Sequence, residues 1–243
     1  MPLSRLFRKP LLAFWLLLWP LLLSLLLCPI RLGALHLGIV ICVLLLWGGA
    51  LFLGFSHKLV RFLCFALVLL AACLLLPGRP ADPNALRRAY TASLLRYEGT
   101  KYLWGGGNAH GIDCSGLVER GLIDADFAQG LSTANPHLLR AGLSLWWYNR
   151  SAKALGEGYR GDTSLRLTTP SLNTLDYSQL LPGDIAVTTS GAHTLAYLGN
   201  RIWIEADPNL LYGDSVITVQ TPARNAWFRL PMRILRWRQF EEQ

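Results

Sequence analysis

The chain has 243 residues, of which 52% are hydrophobic, and its formal net charge is +8. All the acidic residues lie after position 80, and residues 1–78 are dominated by Leu, Val, Ile, Phe and Trp. Most of the excess positive charge belongs to this apolar part and forms no dense Lys/Arg run interleaved with aromatic residues, so the composition argues against a nucleic-acid partner.

Residues 1–78 contain three apolar runs, at about 11–28, 33–55 and 60–76. Each approaches or exceeds the ~18–20 residues that a helix needs to cross the hydrocarbon core of a bilayer. Pro29 and Arg31 separate the first two runs, and Lys58 helps to separate the last two. We therefore expect an all-α membrane region with about three transmembrane helices and the lipid bilayer as its partner.

The positive-inside bias predicts the orientation of these spans. With the N-terminus in the cytoplasm, that side receives five basic residues: Arg5, Arg8, Lys9, Lys58 and Arg61. The other side receives Arg31 and Arg79. The prediction is a multi-pass protein of the inner (cytoplasmic) membrane, with residues 80–243 facing the periplasm or the cell exterior.

A lipoprotein signal is an alternative interpretation of the third run. The sequence Leu-Ala-Ala that ends at Ala72 precedes Cys73, as in a signal that ends in a lipid-modified cysteine. Three leucines follow, whereas a mature lipoprotein usually turns polar there. We therefore favour a transmembrane helix.

Residues 79–83 are predicted to be a Pro-rich linker, and about 160 residues remain for one well-buried domain over 84–243. Apolar spacing and cap residues predict three helices, at 84–97, 113–123 and 136–155. Alternation and turn residues then predict short strands near 184–189, 192–198, 201–207, 215–220 and 231–238. Helices followed by an antiparallel meander indicate an α+β fold.

Cys114 is the only cysteine of this domain, so it cannot form a disulfide within it. Buried cysteines are common in cores, but Cys114 follows Asp113 at a predicted helix start and precedes Ser115 and Gly116. Unpaired backbone amides and the helix dipole favour a reactive thiolate at such a position, and the same amides can hold an oxyanion. The sequence thus predicts a nucleophile.

His193 begins a predicted strand, and Glu205 lies in the next one. If residues 199–201 form a three-residue loop, both side chains lie on the same face of the sheet, whereas a two-residue loop places them on opposite faces. A carboxylate beside the imidazole fixes its tautomer and stabilises its cation, as in a catalytic triad. Asp207 shares the face of Glu205 and is the alternative orienting residue.

The two other histidines of the domain are weaker candidates. His110 lies in a glycine-rich loop four residues before the cysteine, and His137 follows Pro136 near a helix start. We expect both to be at the surface.

These motifs resemble a known family. The stretch from Tyr102 to Gly106, followed by Asp113–Val118, resembles the Y-x-W-G-G…D-C-S-G-L-V signature of NlpC-like cell-wall cysteine peptidases. LLPGDIAV (180–187) and GAHTLAYLGNRIWIEA (191–206) resemble their L-x-P-G-D strand and histidine hairpin. The resemblance spans most of residues 84–238 and excludes the apolar runs.

The resemblance implies a papain-like α+β fold and hydrolysis of amide bonds in peptidoglycan stem peptides, often between D-glutamate and a diamino acid. It implies that Cys114 is the nucleophile, His193 the base and Glu205 the third polar residue. It also implies that Tyr102 assists the oxyanion and that Asp113 and Ser115 line the substrate site. It implies no metal or cofactor.

Two departures from the family pattern affect the function. Glu205 stands where the family usually has His, Asn or Gln, and the segment between Cys114 and His193 is longer than usual. The leading hypothesis remains the function that the resemblance implies, a membrane-anchored peptidoglycan endopeptidase. The alternatives are a papain-like acyltransferase or amidase acting on lipid, and an inactive wall-binding scaffold.

Overall fold

A computed structural model of the chain describes residues 3–209 and 213–241, with the side chains described from residue 8 onward. The chain divides into two compact units. The first comprises Met1–Cys28 and Leu32–Leu76, and the second comprises Pro29–Arg31 and Pro77–Gln243. A three-residue segment from within the apolar region therefore belongs to the second unit.

The first unit contains three helices: α1 (Leu3–Leu27), α2 (Gly33–Gly54) and α3 (Lys58–Cys73). Within the described residues, two stretches are long and apolar enough to cross a membrane, Arg8–Leu27 and Gly33–Gly54. The third predicted span is not among them, because α3 has only 16 residues. A membrane region with two candidate spans is thus the part of the prediction that the structure supports.

The second unit begins with helix α4 (Pro83–Leu95), followed by the long central helix α5 (Cys114–Ser132). The third predicted helix is two helices, α6 (Pro136–Tyr148) and α7 (Ala152–Gly156). The break falls at Asn149, whose φ of 28° ends α6, and the Ser151 hydroxyl then caps α7 by accepting a bond from the Ala154 amide. The prediction of one continuous helix over 136–155 was wrong at this point.

A six-stranded antiparallel sheet follows, with strands β3 (Thr163–Thr169), β4 (Ile185–Thr188), β5 (Thr194–Gly199), β6 (Ile202–Asp207), β7 (Ser215–Gln220) and β8 (Met232–Trp237). Their order across the sheet is β3-β8-β4-β5-β6-β7. The predicted glycine loop contains a small ribbon of β1 (Gly107–Asn108) and β2 (Gly111–Ile112). The α+β layout of helices packed on an antiparallel sheet is confirmed, although β3 was not predicted.

Both faces of the sheet are covered. One face packs against α4 and α5, with Ile204 and Ala206 in the same cluster as Leu117 of α5. The other face carries Trp203, which is fully buried among residues of the segments around 172–180 and 223–232. Glu205 alternates with its neighbours and so lies on the same side of β6 as Trp203, which places a carboxylate inside a covered layer.

Asp184 of the LLPGDIAV stretch ties the start of β4 to β8. Its Oδ1 accepts a bond from Nε of Arg236 at 2.6 Å, and its Oδ2 accepts from Nη2 at 2.7 Å. The Leu181 amide donates to Oδ2 at 2.8 Å. This buried two-point ion pair fixes the strand that leads to His193.

Candidate active site

Cys114 is the first residue of α5, and Asp113 is the N-cap of that helix, as the sequence predicts. The Asp113 Oδ1 accepts bonds from the Gly116 amide and from the Ser115 hydroxyl. Its Oδ2 accepts a bond from the Gly105 amide at 2.9 Å. The cap therefore fastens the glycine-rich loop to the helix start that carries the thiol.

Gly116 is required by a close backbone approach. A Cβ at this position would collide with the carbonyl oxygen of Gly106, which accepts a bond from the Asp113 amide at 3.1 Å. The loop and the first turn of α5 are thus packed backbone to backbone. The thiol lies beside this contact and is 7% exposed.

His193 is held through both its backbone and its ring. Its amide donates to Oγ1 of Thr188 at 3.0 Å, and its carbonyl accepts from the Thr188 amide at 3.0 Å. The ring stacks on Trp227, with centroids 4.3 Å apart and planes inclined by 15°. Its Nε2 lies 2.6 Å from Oε2 of Glu205. These contacts leave the imidazole 2% exposed and restrict it to one orientation.

The imidazole bridges the thiol and the carboxylate. The Nε2 of His193 is engaged by Glu205, and Cys114 lies near enough to act on the protonation of the ring. Burial alone would lower the pKa of His193, but the interactions with Cys114 and Glu205 raise it to about 9. The site therefore favours an imidazolium at neutral pH.

Glu205 is fully buried. Burial raises the pKa of its carboxyl, and the hydrogen bond and positive charge of His193 act in the opposite direction. Of the two carboxylates weighed from the sequence, the structure brings Glu205 to the imidazole. Asp207 instead contacts Asn225 and Trp227.

Asn225 links the two carboxylates behind the histidine. Its Nδ2 donates to Oε1 of Glu205 at 2.7 Å and to Oδ2 of Asp207 at 2.9 Å. Its Oδ1 accepts a bond from the Trp227 amide, which fixes the residue that stacks on His193. The sequence pattern does not reveal the roles of Asn225 and Trp227. The available signal was an Asn at the start of a short helical turn, a common cap pattern that does not reveal its partners.

His193 and Glu205 lie on the same face of the sheet, as expected, but the connection between their strands is not the expected three-residue loop. Asn200 and Arg201, both with positive φ, form a two-residue turn, which alone would place the two side chains on opposite faces. A bulge at Leu198 shifts the register between the Tyr197–Trp203 and Gly199–Ile202 pairs. The extra residue restores the predicted parity.

A cleft of about 590 Å³ opens at the thiol, a size suited to a small-molecule or peptide ligand. Tyr102, Asp113 and Ser115 line it together with Cys114. Burial, and then the negative charge of Cys114, raise the pKa of Tyr102, so its hydroxyl stays protonated and able to donate. Of the site residues predicted from the sequence, four line one cleft. The other two, His193 and Glu205, lie behind the thiol of that cleft.

The two discarded histidines lie elsewhere. His110 is exposed in the glycine-rich loop, and His137 is exposed at the start of α6. The cleft has a further wall from Asn149, Arg150 and Ser151, at the break between α6 and α7. This wall belongs to the segment that the sequence analysis identified as longer than usual.

The sequence model of the NlpC/P60 family matches residues 99–228 and confirms the resemblance. Two structures of mutants of the Resuscitation Promoting Factor Interacting protein RipA match with a TM-score of 0.40 and 21% identity, over 67% of this chain and 70% of theirs. The NlpC/p60 domain of the peptidoglycan hydrolase SagA matches with a TM-score of 0.33 and 20% identity, over 61% of this chain and 97% of that one. No curated protein matches significantly.

We predict that Asn225→Ala destabilises the chain by about 2 kcal/mol, because two buried carboxylates lose the donor between them. Thermal or denaturant unfolding of the full chain in detergent measures this loss. Asn135→Ala is the matched control, since Asn135 caps α6 and bonds only to backbone groups of His137 and Arg79. Equal destabilisation by both variants would show that the carboxylate link contributes nothing beyond a helix cap.

Proposed function

The chain belongs to the NlpC/P60 family, whose sequence model matches more than half of it, and from this premise we propose that it is a cysteine peptidase of peptidoglycan. Its substrates are amide bonds in peptidoglycan stem peptides. Cys114 is the nucleophile, His193 the general base and acid, and Glu205 the orienting carboxylate.

The observation that carries this proposal is the position of the His193 ring. Its Nε2 lies 2.6 Å from Oε2 of Glu205, and Cys114 lies near enough to raise the pKa of the ring. Nucleophilic catalysis by a thiol needs this order of groups, with a base beside the nucleophile and a third group that orients the base. The same order argues against an inactive scaffold, which has no need for a buried imidazole–carboxylate pair next to a thiol.

Acylation follows from the geometry. The Cys114 thiolate attacks the carbonyl carbon of the amide, and the oxygen of the tetrahedral intermediate takes up the negative charge. The amides of Cys114 and Ser115 at the start of α5, together with the Tyr102 hydroxyl, would donate to this oxygen. The His193 imidazolium gives its proton to the departing amine, which leaves a thioester on Cys114 and a neutral imidazole.

Deacylation uses the neutral imidazole as a base. It removes a proton from water, the resulting hydroxide attacks the thioester carbonyl, and the thiolate leaves as the carboxylic acid product forms. Glu205 stabilises the imidazolium that is regenerated in this step. Each cycle consumes one water and returns the thiolate–imidazolium pair.

We predict that Cys114→Ala abolishes the release of new amino groups from purified muropeptides, because the thiol of Cys114 is the group that attacks the amide carbonyl. Mass spectrometry of the digested peptides measures the loss and identifies the bond that wild type cuts. Cys73→Ala is the control, since Cys73 lies in α3 and should leave the rate unchanged.

Retained hydrolysis by the folded Cys114→Ala variant would contradict the assignment. Transfer of an acyl group to or from an added acyl-lipid, with muropeptides left intact, would replace it with the lipid-directed alternative. An unchanged unfolding midpoint in the variant excludes misfolding as the cause of lost activity.

We predict that kcat/KM falls above pH about 9, where His193 loses the proton that the leaving amine needs. Glu205→Gln removes a charge that raises the pKa of His193, so this alkaline limb should move to lower pH. Asp207→Asn is the matched carboxylate-to-amide control, because the Asp207 carboxylate bonds to Asn225 and Trp227. A pH–rate profile in which both variants shift equally, or neither shifts, would reject Glu205 as the orienting residue.

We further propose that the protein is a multi-pass protein of the inner membrane, with three spans and the peptidase unit outside the cytoplasm. The order of the helices along the chain supports three membrane spans instead of two. Pro29–Arg31 belongs to the same compact unit as the cleft, so both lie on one side of the membrane. Only α2 and α3 separate this segment from the rest of the unit, so if α2 crosses the bilayer, α3 must cross it back.

We predict that alkaline phosphatase fused after Gln243 is active and that the same reporter fused after Gly54 is inactive. The enzyme needs disulfides that form only outside the cytoplasm. Colony colour and immunoblotted amounts of both fusions measure the result. An active reporter after Gly54 would reverse the proposed orientation.

A further inference from the structure

The segment between the two apolar helices α1 and α2 is paired with the glycine-rich loop of the cleft. The Gly107 amide donates to the Pro29 carbonyl at 2.8 Å, and the Arg31 amide donates to the Gly105 carbonyl at 2.8 Å. Ile30 and Gly106 form an antiparallel bridge between these bonds. Three residues that lie well before the family match therefore extend the wall that faces Cys114.

The Arg31 side chain continues from this bridge into the cleft. Its Nη2 donates to Oδ1 of Asp113 and to Oγ of Ser115, both at 2.9 Å. Its Nε donates to the Gly106 carbonyl at 3.1 Å, and its Nη1 donates to Oε2 of Glu119 at 2.6 Å. These bonds engage four of the five N–H donors of a guanidinium.

Glu119 explains why a cation is needed there. It is 1% exposed and lies one turn beyond Ser115 on α5, and burial raises the pKa of its carboxyl while Arg31 and Arg150 act in the opposite direction. Arg150 donates to it from both backbone and side chain. Arg31 is thus the cation that connects this buried pair to the residues flanking the thiol.

Asp113 depends on Arg31 more strongly than Glu119 does, because Glu119 is also paired with Arg150. The Oδ1 of Asp113 already caps α5, and Arg31 is the cation paired with it. The aliphatic part of the Arg31 side chain lies against Gly107 of the glycine-rich loop, where an added Cβ would collide with Cδ and Cγ of Arg31. Arg31 therefore joins the loop, the cap and the first turns of α5 at one point, with 15% of its side chain exposed.

We propose that Arg31 is a positioning residue for the Cys114 thiol. It acts by holding Asp113, Ser115 and Glu119 in the arrangement that fixes the helix start, and it comes from the segment that joins the first two membrane helices. Because four of its five donors are engaged within the protein, it positions the nucleophile rather than binding substrate. The activity part of this inference rests on the proposed peptidase function.

The test compares the full chain in detergent as wild type, Arg31→Ala, Arg31→Lys and Arg79→Ala. Arg79→Ala is the matched control, because the Arg79 side chain is exposed in the linker. One readout is the rate of Cys114 alkylation by iodoacetamide across pH, followed on the Cys114 peptide by mass spectrometry. The other is kcat and KM on the muropeptide that wild type cuts.

We expect Arg31→Ala to lower kcat by about tenfold or more with little change in KM, since small displacements of a nucleophile cost this much. It should also slow alkylation across the pH range, and Arg31→Lys should recover part of both. Gly107→Ala keeps the charge but displaces the side chain, so it should act in the same direction even where Arg31→Ala fails to fold.

A kcat within twofold of wild type, or a rise in KM alone, would overturn the proposal. If wild type itself cuts no muropeptide, the peptidase function fails, but alkylation still decides the role of Arg31. Slower alkylation of Cys114 in Arg31→Ala then upholds positioning, and an unchanged rate rejects it.

Discussion

The buried hydrogen bond between His193 and Glu205 is the interaction on which the proposed chemistry depends. Two ionisable groups with almost no exposure are stable together only when each satisfies the charge of the other. The structure surrounds the pair accordingly, with Trp227 stacked on the imidazole and Asn225 donating to the far oxygen of the carboxylate. A weaker enclosure would admit water and leave the imidazole free to turn away from Cys114.

This pair requires a sheet that is covered on both faces. The face of β6 that carries Glu205 would be solvated in a two-layer α+β domain, and there a carboxylate would be hydrated and its hold on His193 weakened by solvent. The segments around 172–180 and 223–232 cover that face with an apolar cluster. The third layer therefore belongs to the site as much as to the core, because it sets the dielectric around the imidazole.

The helix start that carries the proposed nucleophile and its cap was predictable because its signals are local. Asp113 and Cys114 occupy adjacent positions at a helix start, and the cap pattern predicts both. The facing of His193 and Glu205 was also predicted, but through a three-residue loop that the structure replaces with a tight turn and a bulge at Leu198. Alternation along a strand predicts which side chains share a face of the sheet. It does not reveal which turn or bulge sets the register between the two strands.

The remaining parts of the site depend on contacts that are distant in sequence. Strand β3 pairs with β8 about 70 residues away, and its polar residues lack the alternation that indicates a strand. Asn225 acts on side chains 18 and 20 residues before it. Arg31 was interpreted as a membrane flank, because a lone cation between apolar runs is what the positive-inside bias counts. Its side-chain partners lie more than 80 residues downstream.

The placement of Pro29–Arg31 in the second compact unit has a consequence for how the protein can be handled. The usual way to obtain soluble material from a chain with apolar N-terminal helices is to express the part after the last hydrophobic stretch, here from about residue 79. Such a fragment would contain every residue of the family match and would still lack the segment that bridges to the glycine-rich loop and one of the two arginines on Glu119. Loss of the proposed activity in that fragment would therefore reflect the truncation, and the intact chain is the material on which the proposal has to be tested.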